Sequence, residues 1–239
     1  MTYDRKDRKY NQLRPIKITR NFLKYPEGSV LIEQGNTKVI ITASLEIGVP
    51  KWMKDTNNAW ITAEYNMLPR ATDKRNPRDR EGHIQGRTIE IQRFIGRSLR
   101  AAFNLINIGE ISIKIDCDVI QADGGTRCAS INGGFIATMD AFSFAVKTNL
   151  IKKMPDFKFI GAISAGIIEG KPYLDLDYEE DSKAGVDMNF VIDENFNFIE
   201  VQGTAEKEKF TQDQLLELIK LSQTGISEII ELQKKLYNP

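Results

Sequence analysis

Gln121-Ala122-Asp123-Gly124-Gly125-Thr126-Arg127 stands where an alternating, β-branched run ends and a helical pattern begins at once. Adjacent glycines reach backbone angles that other residues avoid, so successive N–H groups can converge on one point. A helix N-terminus adds partial positive charge, and Arg127 adds a full one. The stretch therefore reads as an anion cradle. A tight strand-to-helix connection without a ligand also fits the pattern, and both readings stay open on these seven residues.

Upstream of the cradle, Ile111, Ile113 and Ile115 alternate with Ser112, Lys114 and Asp116, which predicts a strand running on to Ile120. Downstream, the helix carries a small-residue stripe of Ser130, Gly134, Ala137, Ala141 and Ala145, so its backbone can approach another element closely. Ile131, Phe135, Met139, Phe142 and Val146 supply apolar contact area beside that stripe.

Further toward the N-terminus, strands are expected at 16–22, 29–33, 38–47 and 59–65, with a hairpin at Gly35-Asn36, giving a meander of about four strands. From Arg87 the period becomes helical, with Ile91, Ile95, Leu99, Ala102 and Ile106 on one face and Glu90, Arg93, Arg97 and Arg100 on the other. Beyond the central helix, strands are expected at 157–169, 173–178, 186–192 and 199–202. Thr211 and Gln214 form a capping box, and Phe210 with Leu215 the matching staple, for a long amphipathic C-terminal helix with a bend near Gly225. Each half thus offers strands followed by helix. The expected fold class is α+β: a single domain over residues 1–239 with an internal pseudo-repeat and mixed sheets packed with helices.

Composition narrows the function classes. The 239 residues are 41% hydrophobic, with 33 basic and 33 acidic side chains, so nucleic-acid binding would have to come from local charge clusters. Cys117 and Cys128 lack metal-ligand spacing and suit reduced core thiols. The charged N-terminus has no apolar leader-like run, and no stretch approaches membrane-spanning length, so a soluble cytoplasmic protein without membrane partners is expected.

Three charge clusters carry chemical meaning. Residues 69–83 form a basic loop with Arg70, Arg75, Arg78 and Arg80, partly offset by Asp73, Asp79 and Glu81; it reads as a contact surface for phosphates or another subunit, or as a solvated connection. His83, without a second His or Cys nearby, reads as an ordinary loop residue. Arg87 opposes the dipole of the helix it starts, at a cost of about 0.3–1 kcal/mol unless an anion lies between them or it pairs with Glu90. Asp175 and Asp177 are expected on one strand face, and a turn is expected to bring Asp181 and Asp187 near each other and near Asp177, where a divalent cation or a proton relieves their repulsion, or solvent does.

Together, residues 60–70 (WITAEYNMLPR), 86–93 (GRTIEIQR), 116–127 (DCDVIQADGGTR), 180–182 (EDS), 187–189 (DMN) and 200–206 (EVQGTAE) resemble the ribonuclease PH family, in order and across essentially the whole chain. The resemblance implies a phosphate-dependent 3′-to-5′ exoribonuclease and nucleotidyltransferase that trims the 3′ ends of precursor tRNA and other RNAs, releasing nucleoside diphosphates, and that runs in reverse. It places the co-substrate phosphate on Arg87, Gly125, Thr126 and Arg127. It places catalysis and a divalent metal, Mg2+ by expectation, on Asp181 and Asp187. RNA binding or ring contacts are implied for Arg70, Arg75, Arg78, Arg93 and Arg97, within a homohexamer built as a trimer of dimers. Asn66 stands where glycine is expected, and Ile84-Gln85-Gly86 replaces a more glycine-rich approach to Arg87. The glycine turn lacks the Lys-Ser/Thr of a P-loop, which disfavours a nucleotide-cofactor reading.

Overall fold

The computed structural model describes residue 3, residue 5, residues 7–78 and residues 85–237. The first half is a five-stranded sheet of β1 (Ile16–Arg20), β2 (Gly28–Gln34), β3 (Thr37–Ile47), β4 (Trp60–Met67) and β5 (Ile111–Gln121), in the order β1-β2-β3-β5-β4. Only the first three strands form the expected meander. β5 inserts beside β3 and pairs with β4 in parallel, so the cradle strand is interior and β4 is an edge. The second half is a four-stranded sheet of β6 (Ile160–Ile168), β7 (Lys171–Leu174), β8 (Val186–Asp193) and β9 (Phe198–Ala205), in the order β7-β6-β8-β9.

Four α-helices complete the described residues: α1 (Gly86–Ala102), α2 (Thr126–Lys147), α3 (Tyr178–Lys183) and α4 (Gln212–Tyr237). α2 is the central element, touching β2, β3 and β5 of one sheet and β6 of the other, while α4 covers β6, β7 and β8. Its small-residue stripe is wholly buried. The approach is so close that a Cβ on Gly28 of β2 would fall 2.0 Å from the Ala137 carbonyl oxygen. A single hydrophobic cluster runs through both halves, and full burial of each large apolar side chain in it contributes about 1.5–3 kcal/mol. Phe103 bridges in β fashion to Phe157 and stacks on Phe135 at 5.5 Å, sewing the halves together. Among the described residues no helix is long and apolar enough to cross a membrane.

Several expectations are corrected. α1 stops at Ala102, so Ile106 lies beyond it and is 64% exposed rather than on the core face. The run 173–178 is strand only at Tyr173 and Leu174: β7 ends there because Asp175 takes a left-handed backbone at φ 56°, and Asp177 becomes the N-cap of α3. Between Leu174 and β8 the expected hairpin connection is thus replaced by the short helix α3. Asn66 lies inside β4, its side-chain carbonyl accepting from the Met67 N–H at 2.8 Å, so it needs no glycine-like angle. The Thr211–Gln214 capping box is present in both directions, at 2.9 and 3.2 Å. Cys117 and Cys128 are buried free thiols, and burial pushes both well above the usual thiol range.

Candidate active site

The cradle is built from backbone geometry first. Gly124 and Gly125 both have left-handed angles, φ 76° and 66°, and Gly125 is the N-cap of α2. Gly125 has no side chain with which to cap α2, so the N–H groups of that helix's first turn are left to a ligand or solvent. A Cβ on Gly124 would sit 2.5 Å from the Leu176 carbonyl oxygen, which excludes a side chain there. Gly124→Ala is therefore expected to destabilise the protein by about 1–3 kcal/mol, read as a lowered urea midpoint at unchanged slope.

A buried network holds the turn in place. Arg14 donates from Nη1 to the Asp123 carbonyl and from Nη2 to Asp175 Oδ1 at 2.6 Å, while its own N–H donates to Asp175 Oδ2 at 2.7 Å. Gln34 also donates to Asp175, at 2.7 Å. Thr37 donates its hydroxyl to the Gly124 carbonyl at 2.6 Å and accepts from the Asp123 N–H at 3.0 Å. The left-handed angle at Asp175 aims its carboxylate at Arg14 instead of toward Asp181 and Asp187. At the start of α2, Thr126 Oγ1 meets the buried hydroxyl of Tyr65 at 2.9 Å, and burial pushes that phenol up to about 12.

Around this turn lies a cavity of about 430 Å³ whose wall includes Arg87 and Thr88 from α1, Gly124 to Arg127 from the cradle, Tyr65 and Asn66 from β4, Asp181 from α3, and Asp187 and Asn189 from β8. The structure brings together Arg87, Gly125, Thr126, Arg127, Asp181 and Asp187, which come from four separate elements. Burial is the largest cause that raises the Asp187 carboxyl, to about 6; Asp181 and Glu206 add to it, and Arg127 and Arg87 oppose it. Asp181 is also raised, by burial and then Glu206, against Arg87, Arg127 and Lys207. Two half-buried hard-oxygen donors on one cavity wall fit a Mg2+-type ion, which takes one or two carboxylates and fills its remaining positions with water and substrate phosphate.

Not every expected partner is where the sequence suggested. Glu90 pairs with Arg127 rather than Arg87: Arg127 Nη1 lies 3.3 Å from Glu90 Oε1 and donates to Gln202 Oε1 at 3.1 Å, and Gln202 Nε2 donates back to Glu90 at 3.1 Å. Arg93 and Arg97 are both exposed on α1, and Arg97 pairs with Glu200 on β9. In the basic loop, Arg70, Arg75 and Arg78 are exposed, and Thr72, Asn76 and Pro77 take the places on the cavity wall. Asp79, Arg80, Glu81, His83 and Ile84 lie outside the described residues.

Fold and cavity together define an α+β protein in which a glycine turn, two arginines and two carboxylates with raised values line one cavity. Residues 12–142 match domain 1 of the 3′ exoribonuclease family, RNase PH, and residues 158–225 match domain 2 of that family. The chain belongs to the RNase PH family of 3′ exoribonucleases. Similar solved structures are Rrp46 of rice (Oryza sativa), 20% identical over 98% of this chain and 99% of that one with a TM-score of 0.77, and an archaeal exosome core, 20% identical over 95% and 89% with a TM-score of 0.77. An Archaeoglobus fulgidus exosome with RNA bound to the active site is 21% identical over 97% and 90%, with a TM-score of 0.77. At these identities the likeness speaks for the fold.

Proposed function

We propose that the chain is an active phosphate-dependent 3′-to-5′ exoribonuclease that trims precursor tRNA and other RNA 3′ ends, and in reverse adds nucleotides from nucleoside diphosphates with release of phosphate. The carrying observation is the shared cavity: Arg87 and Arg127, with the glycine-capped N-terminus of α2, face Asp181 and Asp187. An inactive RNA-binding ring subunit would have no need to keep two raised carboxylates beside two arginines.

The chemistry joins two anions. A phosphate oxygen attacks the phosphorus that links the terminal nucleotide to the preceding 3′ oxygen; the P–O3′ bond breaks and the terminal nucleotide leaves as its 5′-diphosphate. Arg87, Arg127 and the amides of the α2 N-terminus hold and aim the attacking phosphate. The departing 3′ oxygen needs a proton, and one of the two carboxyls, Asp181 or Asp187, is placed to supply it. Asp181 and Asp187 would also hold a divalent ion, which when bound offsets negative charge on the scissile group.

The exposed Arg70, Arg75, Arg78, Arg93 and Arg97 are proposed to meet RNA phosphates or a neighbouring subunit of a homohexamer; that similar folds occur in an exosome core and in an exosome with RNA bound supports an assembly that handles RNA. Incubating a tRNA that carries extra 3′ nucleotides, with phosphate and Mg2+, is expected to shorten it to a defined end, and nucleoside diphosphates without phosphate to lengthen it. An RNA left unchanged under both conditions would overturn the proposal.

A further inference from the structure

Asp181 sits on a helix that cannot hold itself. α3 has six residues, fewer than an isolated helix needs for stability in water, so contacts outside it must fix its position. Its buried anchor is the adjacent Glu180, 1% exposed. Glu180 Oε1 accepts from Arg5 Nε at 2.5 Å and from the Tyr3 hydroxyl at 3.0 Å. Its Oε2 accepts from Arg5 Nη2 at 2.8 Å, from Arg8 Nη2 at 2.9 Å and from the Asp177 N–H at 3.1 Å. The same two guanidiniums also donate to the Leu174 and Asp175 carbonyls, both at 2.9 Å, just where β7 gives way to the segment leading into α3.

The arrangement has a direction. Asp181 lines the cavity, whereas Glu180, Arg5 and Arg8 are not on its wall. A carboxylate this deeply buried is tolerated only with its cations in place, and guanidinium forks fix an orientation that a flexible ammonium does not. We infer that the N-terminal arm is a strap: Arg5 and Arg8 are positioning residues that, through Glu180, hold Asp181 facing Asp187 and the cradle. This rests on the reading of Asp181 as part of the active centre.

Hydrogen exchange on the full chain, together with steady-state phosphorolysis, tests the strap. In Arg5→Ala/Arg8→Ala, amides of residues 178–184 are expected to exchange about tenfold faster or more, with those of α2 and β6 unchanged. The kcat should fall about tenfold or more, with the KM for phosphate within about twofold, because the loss is one of placement rather than of phosphate binding. Should the double variant fail to fold, Arg5→Lys, which keeps the charge and loses the fork, is expected to give the same pattern at about two- to fivefold. Unchanged exchange at 178–184, or unchanged kcat despite faster exchange, overturns the inference. Absence of phosphorolysis in the unmodified chain overturns the proposed function instead, and the exchange comparison then decides the strap by itself.

Discussion

Arg127→Ala is expected to slow phosphate-dependent RNA shortening by about 10²–10³-fold, equivalent to roughly 3–4 kcal/mol of transition-state stabilisation, while RNA affinity changes by no more than about twofold. Arg127 stands in the first turn of α2, beside the two left-handed glycines and in electrostatic reach of both Asp181 and Asp187. Its charge is well placed to neutralise an attacking phosphate but is only one of many cations available to a long RNA. The Glu90 contact it gives up is partly exposed, with a Glu90 side chain 43% accessible, so little stability goes with it. Phosphate-dependent diphosphate release and RNA binding, measured on the same preparation, separate the two roles. Equal loss of both would assign Arg127 to RNA holding and remove it from the cradle.

Asp187→Asn is expected to lower kcat by about 10²–10⁴-fold and, at neutral pH, to raise the unfolding free energy by roughly 2–3 kcal/mol. Burial, the nearby Asp181 and Glu206 lift the Asp187 carboxyl to about 6 in the folded chain, above its ordinary carboxylate range. A raised folded-state value means the protonated form is favoured by folding. That contribution is fully present below the unfolded value and is lost as pH rises through about 6, where the folded protein must ionise a group that resists it. Asparagine removes the ionisation, so the stability gain over the unmodified chain should be near zero around pH 4 and grow toward pH 7. Denaturant melts across that range check it. A gain independent of pH, or a loss at neutral pH, would show that Asp187 is not the strained carboxylate.

The most locally determined features were the most legible in the sequence. Gly124-Gly125 announced a left-handed turn because only glycine adopts such angles freely, and both residues do so. The capping box at Thr211 and Gln214 needed only four residues of context. Alternation misled at 173–178, because the pattern cannot register that Asp175 turns left-handed to meet Arg14. Arg14, Thr37 and Tyr65, which position the cradle, gave no signal beyond being polar residues in or beside strands; their partners lie far along the chain. The same holds for Arg5, Arg8 and Glu180: an N-terminal charge run reads as solvated, and here two of its arginines are buried against a carboxylate. Sheet order was equally hidden, since nothing near residues 59–67 shows that β5 will insert between β3 and β4.

Inorganic phosphate is the proposed nucleophile. Supplying phosphorus-labelled inorganic phosphate with an unlabelled RNA and identifying the released mononucleotides tests it directly. Nucleoside 5′-diphosphates carrying the label at the β position are predicted, formed only when phosphate is present. Unlabelled nucleoside monophosphates released at the same rate without phosphate would mean attack by water and would contradict the account.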